Sequence, residues 1–179
     1  MQLELESMAI EMPVVERHPN REGFRGVLTL VDVASDRAPA GARGHRVVLT
    51  RRAAEAALPS LLGMALDYSP SFDRHDTRRK VGVITRAEIV GRSLELGGYL
   101  YAKDFPEIVE EIGRAGARLR ASGSAASPRA LLGMSYEIAD ARVADMRSSI
   151  WTLTHVIFTG AAILRREKAA YQETWIEME

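Results

Sequence analysis

The chain has 179 residues, of which 46% are hydrophobic and 27% are charged, a composition typical of one folded domain and unlike that of disordered, collagen-like or coiled-coil proteins. Lysine plus arginine and aspartate plus glutamate each number 24, so the net charge is zero, and no broad attraction to nucleic acid or to anionic membranes is expected. The absence of cysteine excludes disulfides, thiolate metal sites and cysteine nucleophiles.

The first third of the chain predicts three strands and one helix. The predicted strands are residues 3–15, 24–33 and 47–50, the first from alternating apolar and acidic residues and the second from a continuous β-branched run. Thr50 is a suitable N-cap for a helix over residues 51–62, and Gly63 ends it.

The rest of the chain predicts four more strands and a strong helix. The strands are residues 80–90, 94–101, 130–139 and 150–158, with a helix at 104–119, a loop of small residues at 121–128 and a last helical or irregular piece at 161–172. About seven strands mostly in sequence order predict an antiparallel barrel or sandwich flanked by helices, in one domain over residues 1–179, rather than alternating βαβ units.

His75 lies in a polar turn directly before the predicted strand that begins at Lys80. Such loops on a rigid scaffold commonly carry catalytic groups. The alternative is an exposed turn histidine with acidic neighbours. A metal site is not expected here, because Asp73, His75 and Asp76 are too close together in sequence to converge on one ion.

Ser135 lies on a predicted strand, where alternation places it with Glu137 on one face and Tyr136 on the other. Gly133 allows another backbone or a substrate to approach closely. A single serine on a strand is more often only a half-buried polar residue, and the sequence around Ser135 does not match the Gly-x-Ser-x-Gly pattern of many hydrolases.

His155 interrupts an apolar, threonine-rich strand and is expected to share a face with Trp151 and Leu153. A buried imidazole needs a hydrogen-bond partner. That partner is either a backbone carbonyl, in a purely structural role, or a functional group.

Together these segments resemble the prohead proteases of tailed bacteriophages and, more distantly, the herpesvirus assemblins. In that family a histidine precedes a strand, as His75 does here before Val81-Gly82-Val83, and a serine follows in a Gly-x-Ser-aromatic strand, as in Gly133-Met134-Ser135-Tyr136. The third position falls at His155, in Leu153-Thr154-His155-Val156. Phage enzymes usually carry an acid there, whereas assemblins carry histidine. The resemblance covers about residues 24–164.

The resemblance implies a closed antiparallel β-barrel surrounded by helices, a homodimer, and a serine endopeptidase that needs no cofactor or metal. Ser135 would be the nucleophile and His75 its base, with His155 holding that base in place. Arg165 and Arg166 would help to bind the oxyanion. The implied substrates are the scaffold and major capsid proteins of a maturing prohead, with self-cleavage left open.

Two alternatives remain at this point. One of the carboxylates of Glu137, Asp73 and Asp76 could orient His75 in place of His155. The chain could also be a catalytically inactive capsid-assembly or binding module on the same barrel, in which Ser135 and His75 are only polar surface residues. A metal-dependent hydrolase is a weaker third hypothesis.

The sequence also suggests a location. The first residues are acidic where a signal peptide would be basic, and the apolar stretch at residues 156–164 is too short to span a bilayer. We therefore expect a cytoplasmic protein without a membrane partner, and the balanced charge gives no reason to expect a nucleic-acid partner. The resemblance to prohead proteases further implies that it acts in the host cell, within the assembling prohead.

Overall fold

The computed structural model describes residues 2–4, 18–122 and 132–179. Within them the chain forms one sheet and two α-helices. The strands are β1 (Gln2–Glu4), β2 (Glu22–Leu30), β3 (Arg46–Leu49), β4 (Ala65–Tyr68), β5 (Lys80–Val90), β6 (Ser93–Leu100), β7 (Leu132–Val143), β8 (Ile150–Arg165) and β9 (Trp175–Met178). The helices are α1 (Arg51–Ala57), which continues into a 3₁₀ turn (Leu58–Leu61), and α2 (Pro106–Ser122).

The sheet is an open half-barrel. Its strands run in the order β3-β8-β4-β5-β6-β2-β9, with β1 added to β5 and β7 added to β8. Because β3 and β9 end this path, hydrogen bonding among the described strands does not close into a ring. The predicted closed barrel is therefore corrected to a curled, open sheet that encloses the core.

The long strand β8 organises this sheet. Its first part pairs in parallel with β3 and its later part pairs in parallel with β4, while β7 runs antiparallel along its other edge. The sheet is therefore mixed, and the expectation of a purely antiparallel sheet is wrong at β3 and β4. Helix α1 and its 3₁₀ turn connect β3 to β4, and these two strands pair with different parts of β8, at residues 150–153 and 161–163.

Several sequence predictions agree with the observed elements. Strand β5 has the predicted bounds, and the Thr50 hydroxyl caps α1 by accepting a hydrogen bond of 3.2 Å from the backbone N–H of Ala53. Ile108 and Ile112 are buried on α2 as predicted. Neither described helix combines the length and the apolar character that crossing a bilayer requires.

Other predictions differ from the structure. The sequence pattern does not predict strands β4 and β9, and β8 continues to Arg165 through the stretch expected to be helical or irregular. The neighbours on both sides of β8 explain this, since ladder hydrogen bonds there outweigh a weak local preference. Most of the predicted edge strand at 3–15 and of the predicted loop at 121–128 lies outside the described residues.

Two glycines allow a matched test of the packing. A Cβ added at Gly98 on β6 would lie 2.0 Å from the carbonyl oxygen of Val83 on β5, whereas one added at Gly113 on α2 meets nothing within 4 Å. We expect Gly98→Ala to destabilise the fold by about 1–3 kcal/mol through overpacking. Gly113→Ala should stabilise it by about 0.5–1 kcal/mol, because alanine is the better helix former.

Urea unfolding of the two variants and the parent measures both effects. Equal free energies of unfolding for Gly98→Ala and the parent would show that β5 and β6 do not approach this closely.

Candidate active site

The register across three strands brings distant residues onto one face of the sheet. Asp67 on β4 and Ser135 on β7 both pair with Ala162 on β8, which lies between those strands. Residues paired in register across neighbouring strands point to the same face. Asp67 and Ser135 therefore flank the small side chain of Ala162, although 68 residues separate them in sequence.

A second row of paired residues adds Glu137 to this face. Glu137 pairs with Gly160 on β8, two positions before Ala162. A Cβ added at Gly160 would lie 3.0 Å from Glu137 Oε2. The carboxylate of Glu137 therefore occupies the space that a side chain at position 160 would need. The small residues Gly160 and Ala162 thus leave room on β8 for functional groups from its neighbours.

The loop between β4 and β5 carries His75 over this face, and its first part is tightly held. Asp73 Oδ1 accepts hydrogen bonds from the hydroxyls of Ser69 (3.0 Å) and Ser71 (2.5 Å), which lower the pKa of the Asp73 carboxyl. Phe72 has a positive φ of 51°. The turn therefore reverses the chain within a few residues.

Arg165, at the end of β8, fixes this loop from the sheet. Its guanidinium donates two hydrogen bonds, of 2.8 and 3.1 Å, to the carbonyl oxygen of Ser71. Its backbone N–H donates a third, of 2.7 Å, to the carbonyl oxygen of Phe72. These three hydrogen bonds hold the loop that carries His75 against the end of β8.

His75 lies against two carboxylates. Its Nδ1 is 3.1 Å from Glu137 Oε1 and 4.0 Å from Asp67 Oδ2. The side chains of His75 and Glu137 are 26% and 21% exposed, and that of Asp67 is fully buried. The 3.1 Å contact lacks hydrogen-bond geometry among the described residues. A carboxylate this close to Nδ1 still favours the tautomer with the proton on that nitrogen, and Nε2 is then a proton acceptor.

Asp67 is an unusual buried acid. Its Oδ1 accepts a hydrogen bond of 2.9 Å from the backbone N–H of Asp76, whereas its Oδ2 has no hydrogen-bond partner among the described residues. Desolvation raises the pKa of the Asp67 carboxyl, and the bond from Asp76 and the charge of His75 offset this only in part.

A cavity of about 940 Å³ opens over this cluster. His75, Ser135 and Glu137 all line this cavity. The apolar side chains of Ile138, Val143 and Leu153 line it as well. At its far end is Trp151, whose ring stacks on His45 with centroids 4.5 Å apart. A hydroxyl, an imidazole and a carboxylate thus face one largely apolar space large enough for several side chains of a peptide.

His155 lies elsewhere on β8. It pairs in register with Arg142 and its Nε2 is 3.2 Å from Asp140 Oδ2, with 42% of the side chain exposed. The structure pairs His75 with Glu137 instead, so the expected contact between His155 and His75 is not formed.

The reason for this difference is a shift in the alternation of β8. Trp151 and Leu153 are buried at alternate positions, but the next buried residue is Val156 rather than residue 155. The alternation of buried and exposed side chains is therefore shifted by one residue between Leu153 and Val156. Register shifts in the β7 and β8 pairing occur at the same level, around Arg142. They turn His155 away from the face of Trp151 and Leu153, contrary to the sequence prediction.

The two arginines predicted at the oxyanion do not line the cavity of Ser135. Arg165 binds the His75 loop, as described above. Arg166 lines a second cavity with Trp175 and Glu177, where its Nε donates a hydrogen bond of 2.9 Å to the carbonyl oxygen of Thr174 and burial lowers its pKa. Both side chains thus bind backbone carbonyls, Arg165 in the loop that carries His75 and Arg166 at Thr174.

No protein-family model and no curated protein matches the sequence. Among solved structures, the chain is similar to the crystal structure of KSHV protease in complex with a hexapeptide phosphonate inhibitor, with a TM-score of 0.46 and 12% sequence identity over 80% of this chain. The match spans 59% of that protein.

Proposed function

We propose that the chain is a serine endopeptidase in which Ser135 is the nucleophile, His75 the general base and Glu137 the residue that orients the base. One observation carries the proposal: Glu137 Oε1 is 3.1 Å from His75 Nδ1, and Ser135, two residues before Glu137 on the same strand face, lines the same cavity as both. Serine, imidazole and carboxylate are the three side chains of the Ser-His-Asp/Glu triads that carry out acyl transfer on several unrelated folds.

The proposed reaction begins when Ser135 Oγ attacks the carbonyl carbon of a peptide bond while His75 Nε2 takes the hydroxyl proton. The imidazolium that forms is stabilised by the Glu137 carboxylate at Nδ1. His75 then returns the proton to the leaving amine, and the acyl group stays on Ser135 until water, activated by the same imidazole, releases it.

As substrates we propose the scaffold and major capsid proteins of a maturing prohead, and the chain's own termini as a further cleavage site. The support is the order of motifs that the sequence shares with prohead proteases, His75 before a strand and Ser135 in a Gly-x-Ser-aromatic strand. The proposed enzyme acts as a homodimer without cofactor, in the host cytoplasm within the assembling prohead.

Labelling with a fluorophosphonate tests the nucleophile directly. We expect one covalent adduct per chain, located on Ser135 by mass spectrometry of peptides, and its loss in His75→Ala, because an unactivated serine reacts slowly. Ser93→Ala, at the β5–β6 hairpin, is the matched control and should label like the parent.

An adduct on another serine would refute the assignment of Ser135. A parent protein that takes up no label under conditions that label a reference serine protease would favour the alternative, an inactive assembly module.

A further inference from the structure

The cluster of Asp67, His75 and Glu137 has the donor atoms of a metal site. One atom from each residue, a carboxylate oxygen or an imidazole nitrogen, lies within 4.8 Å of the other two. These residues come from β4, from the loop after it and from β7, so the fold itself brings them together. Sequence spacing gives no sign of this set, since Asp73 and Asp76, rather than Asp67 and Glu137, are the acidic neighbours of His75 in the chain.

A second observation points to a cation. Asp67 is fully buried, and its Oδ2 has no hydrogen-bond partner among the described residues. His75 Nδ1 is likewise buried, with only the ion-pair contacts to the two carboxylates among the residues that the structure describes. A buried carboxylate oxygen without a partner is unfavourable, and an ion bound between these atoms would remove that cost.

The distances suit a small tetrahedral ion. Zinc binds histidine nitrogen and carboxylate oxygen at about 2.0–2.2 Å, which places neighbouring ligand atoms about 3.3–3.5 Å apart. The observed separations from His75 Nδ1, 3.1 Å to Glu137 and 4.0 Å to Asp67, lie on either side of that value. Three protein ligands would leave one position of a tetrahedral ion for water or another ligand.

We propose that Asp67, His75 and Glu137 bind one divalent transition-metal ion of the zinc class, and that the bound ion switches the hydrolase off. The second part rests on the proposed function. A metal on Nδ1 uses the lone pair of that nitrogen, so the proton of the neutral ring must sit on Nε2. Nε2 then cannot take the proton of Ser135, and the nucleophile stays unactivated.

Calorimetric titration with zinc chloride tests the site apart from catalysis. The parent for this titration is Ser135→Ala, which keeps all three ligands. We expect one ion per chain, bound at least about 100-fold more weakly after Asp67→Asn or Glu137→Gln, since even changes to the partners of metal ligands weaken such sites 10- to 100-fold. His155→Ala, which removes an exposed histidine beside an aspartate, is the control and should bind like the parent.

Equal affinity in the parent, Asp67→Asn and Glu137→Gln would overturn the site. If Asp67→Asn does not fold, as judged by circular dichroism, Glu137→Gln decides, because its side chain lies at the cavity rather than in the core.

Cleavage by the wild-type chain, with zinc and then with excess EDTA, separates the two proposals. Inhibition by zinc that EDTA reverses supports the switch. Full cleavage at saturating zinc overturns the switch but not the protease. The third outcome is zinc binding that depends on Asp67 and Glu137 in a chain that shows no cleavage before or after EDTA. That outcome contradicts the proposed protease activity and supports the metal site.

Discussion

Replacing Ser135 with alanine is expected to lower cleavage of a co-expressed scaffold or capsid protein by at least about 10³-fold, to the background of the assay. The variant should fold normally, because Ser135 faces the cavity and its neighbour across the ladder is the small Ala162. His75→Ala should cause a loss of similar size. The double variant should be no worse than either single one, since groups that act as a unit are not additive.

Gel analysis of the co-expressed proteins, with circular dichroism of each variant, measures this effect. Ser93→Ala supplies the matched serine control. If Ser135→Ala cleaves as well as the parent, the nucleophile lies elsewhere and the catalytic proposal is wrong.

Changing Glu137 to glutamine is expected to slow cleavage by about 10²- to 10⁴-fold, because the amide keeps the shape of the side chain but cannot stabilise the imidazolium of His75. His155→Ala should change the rate by less than about threefold. That residue makes a contact with Asp140 in which both side chains are about half exposed, and such surface pairs contribute little.

The comparison decides which residue orients the base. The rate constant for cleavage of a peptide is the measurement, and it should be followed as a function of pH, because loss of a charge beside an imidazole changes the pH profile whereas a purely structural defect lowers activity at every pH. If His155→Ala lowers the rate constant more than Glu137→Gln does, His155 is the residue that orients His75, as the sequence resemblance implies.

His75 and Ser135 line one cavity, and the sequence brings them together only through the order of motifs shared with prohead proteases, because the local signal at each residue is weak. His75 precedes a well-defined strand, and the alternation around Ser135 assigns Glu137 to the same face, where the structure also has it. Glu137 is accordingly one of the residues that the sequence alone offers for orienting the base.

Asp67 and the position of His155 are not predictable in this way. Strand β4 has only four residues and lies between β5 and β8, with which it pairs on its two edges. Its contact with β8 joins residues about 95 positions apart and leaves no periodic signal in the sequence. The sequence prediction for His155 fails because it assumes regular alternation along β8. The shift between Leu153 and Val156 depends on how β7 pairs with it, which sequence periodicity does not record.

The latter part of β8 is bordered by strands on both sides and is completely buried from Gly160 to Leu164. Amide protons in such a strand exchange with solvent only when the whole molecule unfolds. Ser135, Glu137 and Asp67 all pair with this segment, and Arg165 at its end ties down the loop of His75. Partial opening at β3 and β9, the two ends of the strand path, would therefore leave the pairing of Ser135, Glu137 and Asp67 with β8 intact. The proposed activity should then be lost on heating only when β7 separates from β8 or the whole molecule melts.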